Sequence, residues 1–167
     1  MAADPAETTC GMSEGQRSAP VRGDTIAIAA DHAGVVLKSA LTKELEGLGY
    51  RVVDLGTNSP DSVDYPDFAD AVAEAIESRR AKWGVLVCGS GIGMGMAANR
   101  HPAIRAAVVH DALSAKLSRQ HNDANVIALG ARLVGDEVAK DAAKVFFSTP
   151  FEGGGRHERR VAKLGGK

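Results

Sequence analysis

A glycine-rich stretch that directly follows a short apolar run constrains the fold more than any other feature. Residues 85–87 are continuously apolar, which is typical of a strand buried on both faces, and the run ends at Cys88. Glycines then occupy every second position from Gly89 to Gly95, and residues 94–99 are expected to form a helix. Because glycine has no Cβ, backbone N–H groups can converge on a ligand there, and the helix start adds positive potential. The stretch therefore predicts a strand, a tight loop and a helix that together bind an anion beside a thiol.

Apolar runs alternate with helix-period patterns along the chain from residue 25 onward. Runs that predict strands occupy residues 25–30, 50–55, 83–87, 104–109 and 125–129. Patterns that predict helices occupy residues 35–48, a segment beginning at Pro66 or Asp67, residues 94–99, 111–120 and 134–147, and a terminal helix or arm from residue 156. The alternation predicts a three-layer α/β fold, in which a five-stranded parallel sheet carries helices on both faces and a C-terminal helix or arm follows.

Length and composition fit one domain. The chain has 167 residues, of which 44% are hydrophobic, and we assign residues 24–167 to a single domain. Residues 1–23 lack periodicity and are rich in small and acidic residues, so we expect a disordered extension there. A formal net charge of −1 and an aromatic content of 4% disfavour nucleic acid and membranes as partners. With no long apolar span, no export signal and no metal-ligand spacing of its two cysteines, we expect a cytoplasmic protein with reduced thiols and no metal.

Polar residues follow the predicted strands where a parallel sheet binds its ligands. Asp31 and His32 come directly after the first strand, and Cys88 with its glycine loop follows the third. Ligands of such sheets bind outside the carboxyl ends of the strands, so we expect these side chains to line one crevice. His32 could bind phosphate or move protons there. Asp31 could instead serve only as a helix cap, and Cys88 could be a small residue of the core.

The glycine loop does not match the fingerprints of nucleotide-binding loops. Met94 and Met96 stand where the third glycine of a dinucleotide-binding loop would fall. The loop also follows the third strand rather than the first, and it lacks the lysine of a P-loop. A sugar phosphate or an enediolate oxygen needs only a few convergent N–H donors, which this loop can supply.

Two later segments have a structural and a functional explanation. Ser118-Arg-Gln-His-Asn-Asp123 has the pattern of a polar cap at the end of a helix. Arg132, Arg156 and Arg160 are either solvated surface charge or the three arms of a phosphate clamp. The second explanation draws on the four-residue spacing of Arg156 and Arg160, which places both on one helical face.

Six short motifs follow one another between residue 25 and residue 164. They are Ala30-Asp-His-Ala-Gly34, Asp64-Tyr-Pro66, Cys88-Gly-Ser-Gly-Ile-Gly93, Ala97-Ala-Asn99, Ser118-Arg-Gln-His-Asn122 and Arg156-His-Glu-Arg-Arg160. Together they resemble the type B ribose-5-phosphate isomerases of the ribose/galactose-6-phosphate isomerase family. The resemblance implies a Rossmann-like fold and an aldose–ketose isomerase of the pentose phosphate pathway that interconverts D-ribose 5-phosphate and D-ribulose 5-phosphate without metal or organic cofactor. It also implies a homodimer, or a tetramer as the larger assembly, whose pockets are completed by the partner subunit.

The resemblance further implies a role for each matching residue. The base that moves a proton between C1 and C2 would be Cys88. The groups that hold the enediolate oxygen would be those of Ser90, Gly89, Gly91, Ile92 and Gly93. His121 would open the furanose ring, while Asp31 and Asn122 would orient the sugar hydroxyls. The groups that bind the phosphate would be His32, Arg132, Arg156 and Arg160.

Some positions separate this chain from other members of that family. Members divide between those with this cysteine as base and those with a glutamate six positions later; here that later residue is Met94, which cannot accept a proton. Asn58 stands where the family often has an aromatic residue, and the glycine run at residues 153–155 is one residue longer than usual. Two alternatives remain open at this stage, namely an isomerase of a six-carbon sugar phosphate such as allose 6-phosphate or galactose 6-phosphate, and a non-catalytic sensor of a phosphorylated ligand.

Overall fold

The computed structural model describes residues 18–164 of the chain. Most of the predicted disordered extension, residues 1–17, lies outside the described residues. The remainder of it, residues 18–23, lies against the domain, because the Gly23 N–H donates to the Gly49 carbonyl at 2.9 Å and Pro20 is buried. The part of the chain that contacts the core therefore begins before residue 24.

Strands and helices alternate as the sequence predicts. In chain order the elements are β1 (Thr25–Ala30), α1 (Val35–Gly47), β2 (Arg51–Asp54), α2 (Tyr65–Glu77), β3 (Trp83–Cys88), α3 (Ile92–Ala98), β4 (Ala106–Val108), α4 (Ala112–Asn122), β5 (Val126–Gly130), α5 (Asp136–Ser148) and α6 (Arg156–Leu164). The predicted boundary of α3 is wrong by two residues, since the helix begins at Ile92 rather than Met94. The reason is Gly91, whose left-handed backbone (φ +78°) ends the loop directly before Ile92.

The five strands form one parallel sheet in the order β2-β1-β3-β5-β4. The predicted sheet is therefore confirmed. From β1 the chain moves to one side to form β2 and then returns to the other side to form β3, so the connections diverge between β1 and β3. In a sheet of this kind the crevice for a ligand opens at that divergence, outside the carboxyl ends of the two strands.

Helices cover both faces of the sheet. Helices α1, α4 and α5 pack on one face around Trp83, Ile127 and Phe146, and α2 and α3 pack on the other around Leu86 and Met94. Strands β3 and β5 are buried throughout, which explains their continuously apolar sequences. Across residues 18–164, none of the helices has the length and apolar character needed to span a bilayer.

A buried ionic network fixes the carboxyl end of α4. The Arg119 guanidinium lies over the Trp83 ring, 4.8 Å from its centroid, and donates to Asp123 Oδ1 at 2.8 Å and to the Thr149 carbonyl at 3.2 Å. Arg105 donates to the other Asp123 oxygen at 2.9 Å. Asp123 ends the helix in a left-handed conformation (φ +46°), so the predicted polar cap is present. The network holds the last turn of α4 and the chain after α5 together.

Candidate functional site

The loop after β3 places a cysteine among backbone N–H groups. The Cys88 side chain is 4% exposed, and its Sγ accepts a hydrogen bond from the Gly91 N–H at 3.1 Å. The Ile92 N–H donates to Ser90 Oγ at 3.3 Å, which fixes the serine over the start of α3. This hydrogen bond from the Gly91 N–H holds the sulfur against the start of the glycine loop.

Asp31 and His32 lie beside this loop, as the sequence predicts. The Asp31 N–H donates to the Val87 carbonyl at 3.1 Å, which joins the end of β1 to the end of β3. Asp31 Oδ1 accepts from the Ala33 N–H at 2.9 Å, so the carboxylate stabilises the turn before α1. His32 Nδ1 accepts from the Val63 N–H at 3.4 Å, which leaves the proton of a neutral ring on Nε2 as a donor.

Arg132 and Tyr65 border the same glycine loop. The Arg132 N–H donates to the Gly89 carbonyl at 3.0 Å, and a Cβ built on Gly89 would lie 3.4 Å from Arg132 Nη1. The Tyr65 ring packs on Gly93 from the other side, where an added Cβ would lie 2.7 Å from its Cζ. We refer to Asp31, His32, residues 88–93 and Arg132 together as the cysteine edge. The cysteine edge combines the Cys88 thiol, the N–H donors of the glycine loop, the Arg132 guanidinium and the His32 ring.

The other predicted site residues lie at a second place, the carboxyl end of α4. His121 and Asn122 are the last two residues of that helix. The Glu152 N–H donates to the Gln120 carbonyl at 3.0 Å and so brings the start of α6 alongside. The His121 and His157 rings stack there with centroids 4.3 Å apart and planes 5° from parallel. We refer to His121, Asn122, Glu152 and the first turns of α6, from Arg156 to Arg160, as the histidine edge.

The two edges lie at opposite ends of the strands. Helix α4 ends just before β5 begins, and the first residues of β5 pair with Gly84 near the start of β3, whereas Cys88 pairs with Gly130 at the far end. At about 3.3 Å per residue, the strand from Gly84 to Cys88 alone separates the edges by about 13 Å. One chain therefore does not bring Cys88 and His121 together.

The three arginines are divided in the same way. Arg132 lies on the cysteine edge, whereas Arg156 and Arg160 lie on α6 at the histidine edge. The physical reason is the direction of α5, which starts after the carboxyl end of β5 and runs back toward the amino ends of the strands. A clamp made by all three arginines is thus not formed within one chain.

Positive charge and burial shape the histidine edge. Burial lowers the pKa of His157 below its ordinary value of 6.5, and the neighbouring His121, Arg156 and Arg160 act in the same direction. The Arg156 Nε–H donates to His157 Nε2 at 3.3 Å, which requires an unprotonated nitrogen there. His157 is therefore a neutral ring near pH 7, held among cations that attract an anion. Among the residues from 18 to 164, one set of side chains, His121, Glu152 and His157, also has the spacing of metal ligands.

Two residues near the two edges, His157 and Lys38, are given no role by the sequence-based prediction. His157 is part of the recognised arginine motif, but only the fold shows that it stacks on His121. Lys38 is buried, and its Nζ pairs with Asp54 and donates to Asn58 Oδ1 at 2.8 Å. Asn58, the departure from the family pattern, thus helps to fix the loop that leads to Val63, whose N–H donates to His32 Nδ1. The signal for Lys38 was its position within the apolar stripe of α1.

The chain is similar to known proteins in both sequence and structure. A model of the family described as Ribose/Galactose Isomerase matches residues 26–164. Ribose-5-phosphate isomerase B of Escherichia coli is 44% identical over 139 residues, covering 83% of this chain and 93% of the relative. A solved ribose 5-phosphate isomerase from Thermotoga maritima is 49% identical with a TM-score of 0.82, covering 84% of this chain and 97% of that one. The type B enzyme from Trypanosoma brucei is 41% identical with a TM-score of 0.83, covering 86% and 97% respectively.

Proposed function

Because this chain belongs to the ribose/galactose isomerase family and is therefore a sugar-phosphate isomerase, we propose that it interconverts D-ribose 5-phosphate and D-ribulose 5-phosphate. The observation that carries the proposal is the cysteine at the end of β3, whose sulfur accepts the Gly91 N–H within a loop of further N–H donors. This reaction belongs to the non-oxidative part of the pentose phosphate pathway. The predicted membership of this family is confirmed by the comparisons.

The chemistry requires a base and an anion site side by side. Cys88, as thiolate, removes the proton from C2 of the open-chain aldose, and the electron pair of that C–H bond moves into an enediolate. N–H groups of the loop from Gly89 to Gly93, with the Ser90 hydroxyl, stabilise the negative oxygen. The thiol then returns the proton to C1 while the proton on O2 moves to O1, which yields the ketose and regenerates the thiolate. The hydrogen bond from the Gly91 N–H to Sγ supports the first step, since it holds the sulfur beside the N–H groups that stabilise the enediolate oxygen.

The remaining residues bind and prepare the substrate. Ribose 5-phosphate is mostly a closed ring, so His121 transfers the proton that opens it. Asn122, beside His121 at the end of α4, and Asp31, beside Cys88, orient the sugar hydroxyls. The phosphate is bound by the cationic and N–H donor groups of His32, Arg132, Arg156 and Arg160.

A second copy of the chain is needed to assemble these groups. Since the cysteine and histidine edges lie at opposite ends of the strands, one substrate can contact both only if each edge comes from a different subunit. Exposed apolar side chains support such an interface. Ile92 and Met96 on α3 are 47% and 69% exposed, and Leu113 and Leu117 on α4 are 63% and 37% exposed. We propose a homodimer with two shared sites, in which a two-fold axis pairs each cysteine edge with the partner's histidine edge. A tetramer would be a pair of such dimers.

Comparing three substrates tests the proposed specificity. We expect kcat/KM to be highest for ribose 5-phosphate, with allose 6-phosphate and galactose 6-phosphate turned over more slowly, because the similar proteins from Escherichia coli and Thermotoga maritima are named ribose-5-phosphate isomerases. A clear preference for a six-carbon substrate would favour the other activity in the family's description. Binding of all three without turnover would instead indicate a sensor of phosphorylated ligands.

A further inference from the structure

We propose that His121, Glu152 and His157 form a binding site for one divalent transition-metal ion of the Zn²⁺ type, and that an ion bound there inhibits the enzyme. The inhibitory part rests on the proposed function, because it depends on His121 as a proton-transfer group. The binding part rests only on the geometry of the three side chains.

The three side chains already lie close enough to share an ion. One ligand atom from each, two imidazole nitrogens and a carboxylate oxygen, lie within 4.8 Å of one another. Ligand atoms around a tetrahedral Zn²⁺ at about 2.1 Å are about 3.4 Å apart. An imidazole nitrogen binds a metal in its own ring plane, so the two stacked rings must rotate toward each other before they share an ion. Two histidines and one carboxylate are a donor set that Zn²⁺ and its neighbours in the first transition row prefer.

The backbone that carries the three donors is fixed by the fold. His121 stands two residues before Asp123, which is paired with the buried Arg119. Arg119 also donates to the Thr149 carbonyl, and the Glu152 N–H donates to the Gln120 carbonyl, so the segment with Glu152 is tied to the same helix end. An ion would therefore bind without ordering the main chain first. The half-buried rings and the exposed carboxylate leave it accessible from solvent.

Neighbouring cations limit the strength of binding. Arg156 donates to His157 Nε2, so the ion must either use Nδ1 of that ring or displace the arginine. Arg156 and Arg160 also repel a dication. We therefore expect reversible binding, weaker than at a structural zinc site, which a chelator removes.

An ion at this position would stop the reaction. A His121 nitrogen that is bound to a metal has no lone pair with which to accept a proton, so the ring-opening step is lost. An ion that displaces Arg156 from His157 would also disturb one of the proposed phosphate-binding groups of α6. The expected behaviour is inhibition by micromolar metal that is reversed when the chelator is added.

Cobalt absorption measures the binding part directly. Protein without a polyhistidine tag is titrated with Co²⁺, whose visible bands report tetrahedral coordination, and Zn²⁺ is used as competitor. We expect one Co²⁺ per chain, and a loss of affinity of about tenfold or more in both Glu152→Gln and His157→Gln.

The matched control is His101→Ala. His101 also has two carboxylates in reach, with Nε2 2.9 Å from Asp70 and Nδ1 3.5 Å from Glu77, but they lie on opposite ring nitrogens and cannot share one ion with the ring. This variant should bind Co²⁺ like the wild type. The binding proposal is overturned if no stoichiometric Co²⁺ binds, or if His101→Ala loses as much affinity as Glu152→Gln. A thiolate-to-cobalt band in the near ultraviolet that disappears in Cys88→Ala would place the ion on the thiol and would overturn it equally.

Zinc inhibition of isomerase turnover tests the second part. With each protein compared to its own rate without metal, Glu152→Gln should raise the Zn²⁺ concentration for half-inhibition by about tenfold. Equal sensitivity of this variant and the wild type would refute the inhibitory role. The two proposals fail separately: Co²⁺ binding in a protein without isomerase activity refutes the proposed function alone, and turnover without Co²⁺ binding refutes the metal site alone.

Discussion

Mixing two inactive variants tests whether the active site is shared between subunits. Cys88→Ala removes the base from the cysteine edge, and His121→Ala removes the ring-opening group from the histidine edge. Each variant alone should lose about 10²-fold to 10⁴-fold in turnover, as is usual when a proton-transfer group is removed. Because the edges of one chain are about 13 Å apart along the strands, these losses fall on different halves of the site.

The magnitude of the recovery follows from the symmetry of the dimer. When equal amounts of the two variants exchange subunits at random, about half of the dimers are mixed, and each mixed dimer contains one site with both residues intact. The mixture should therefore regain about a quarter of the wild-type activity, far above either variant alone.

The assay follows ribulose 5-phosphate formation before and after subunit exchange, with exchange confirmed by native mass spectrometry. The control mixture combines Cys88→Ala with Asp31→Ala, two changes on the same edge, and should show no recovery because every mixed site still carries one of the defects. If confirmed mixed dimers of Cys88→Ala and His121→Ala remain inactive, or if the control mixture recovers to the same extent, the shared site is refuted.

Three further changes test the phosphate contact and two parts of the fold. Arg160→Ala should raise KM by about tenfold or more through the loss of a charge-assisted hydrogen bond. The control is Arg159→Ala, on another face of α6, which should leave KM unchanged. If steady-state kinetics give the same KM for both variants, the phosphate role of Arg160 is contradicted. Asp123→Ala leaves a buried guanidinium unpaired and should lower the free energy of unfolding by about 3 kcal/mol, measured by urea denaturation; a loss below about 1 kcal/mol would show that the network contributes little. Burial acts to raise the pKa of Asp24, but hydrogen bonds from Trp83 and its other partners outweigh this effect, so its pKa lies below 3.8 in the folded protein. The ionised Asp24 carboxylate therefore stabilises the folded protein above pH 3.8, and this stabilisation is lost as the pH falls toward the folded pKa. Between pH 7 and pH 3, the Tm of Asp24→Asn should fall by less than the Tm of the wild type. An equal fall in both proteins would contradict this.

The fold could be predicted because its signals are local. Continuous apolar runs separated by helix-period patterns imply parallel strands with helices on both faces, and each predicted element is present. The start of α3 could not be placed, since it depends on the left-handed conformation of Gly91. The positions of Asp31, His32 and Cys88 could be predicted in the same way, because residues that directly follow neighbouring parallel strands meet at one edge of the sheet.

The site residues are divided between two edges because some of them precede a strand and others follow one. Residue type alone does not reveal this difference. His121 precedes a strand and Cys88 follows one, so connectivity already placed them at opposite edges, and Arg132 is separated from Arg156 for the same reason. The buried charges were harder to predict. Arg119 resembles a residue of a solvated helix face until the fold brings Asp123 and the Trp83 ring against it.

The most direct test of the proposed activity is the rate of ribulose 5-phosphate formation from ribose 5-phosphate, measured with chelator-treated wild-type protein and with Cys88→Ala side by side. We predict ready turnover by the wild type, and a loss of about 10²-fold to 10⁴-fold in Cys88→Ala with substrate binding retained, because the change removes proton transfer and leaves the phosphate contacts intact. The proposal would be contradicted by a wild-type protein that does not convert ribose 5-phosphate, or by a Cys88→Ala variant with a near-normal rate.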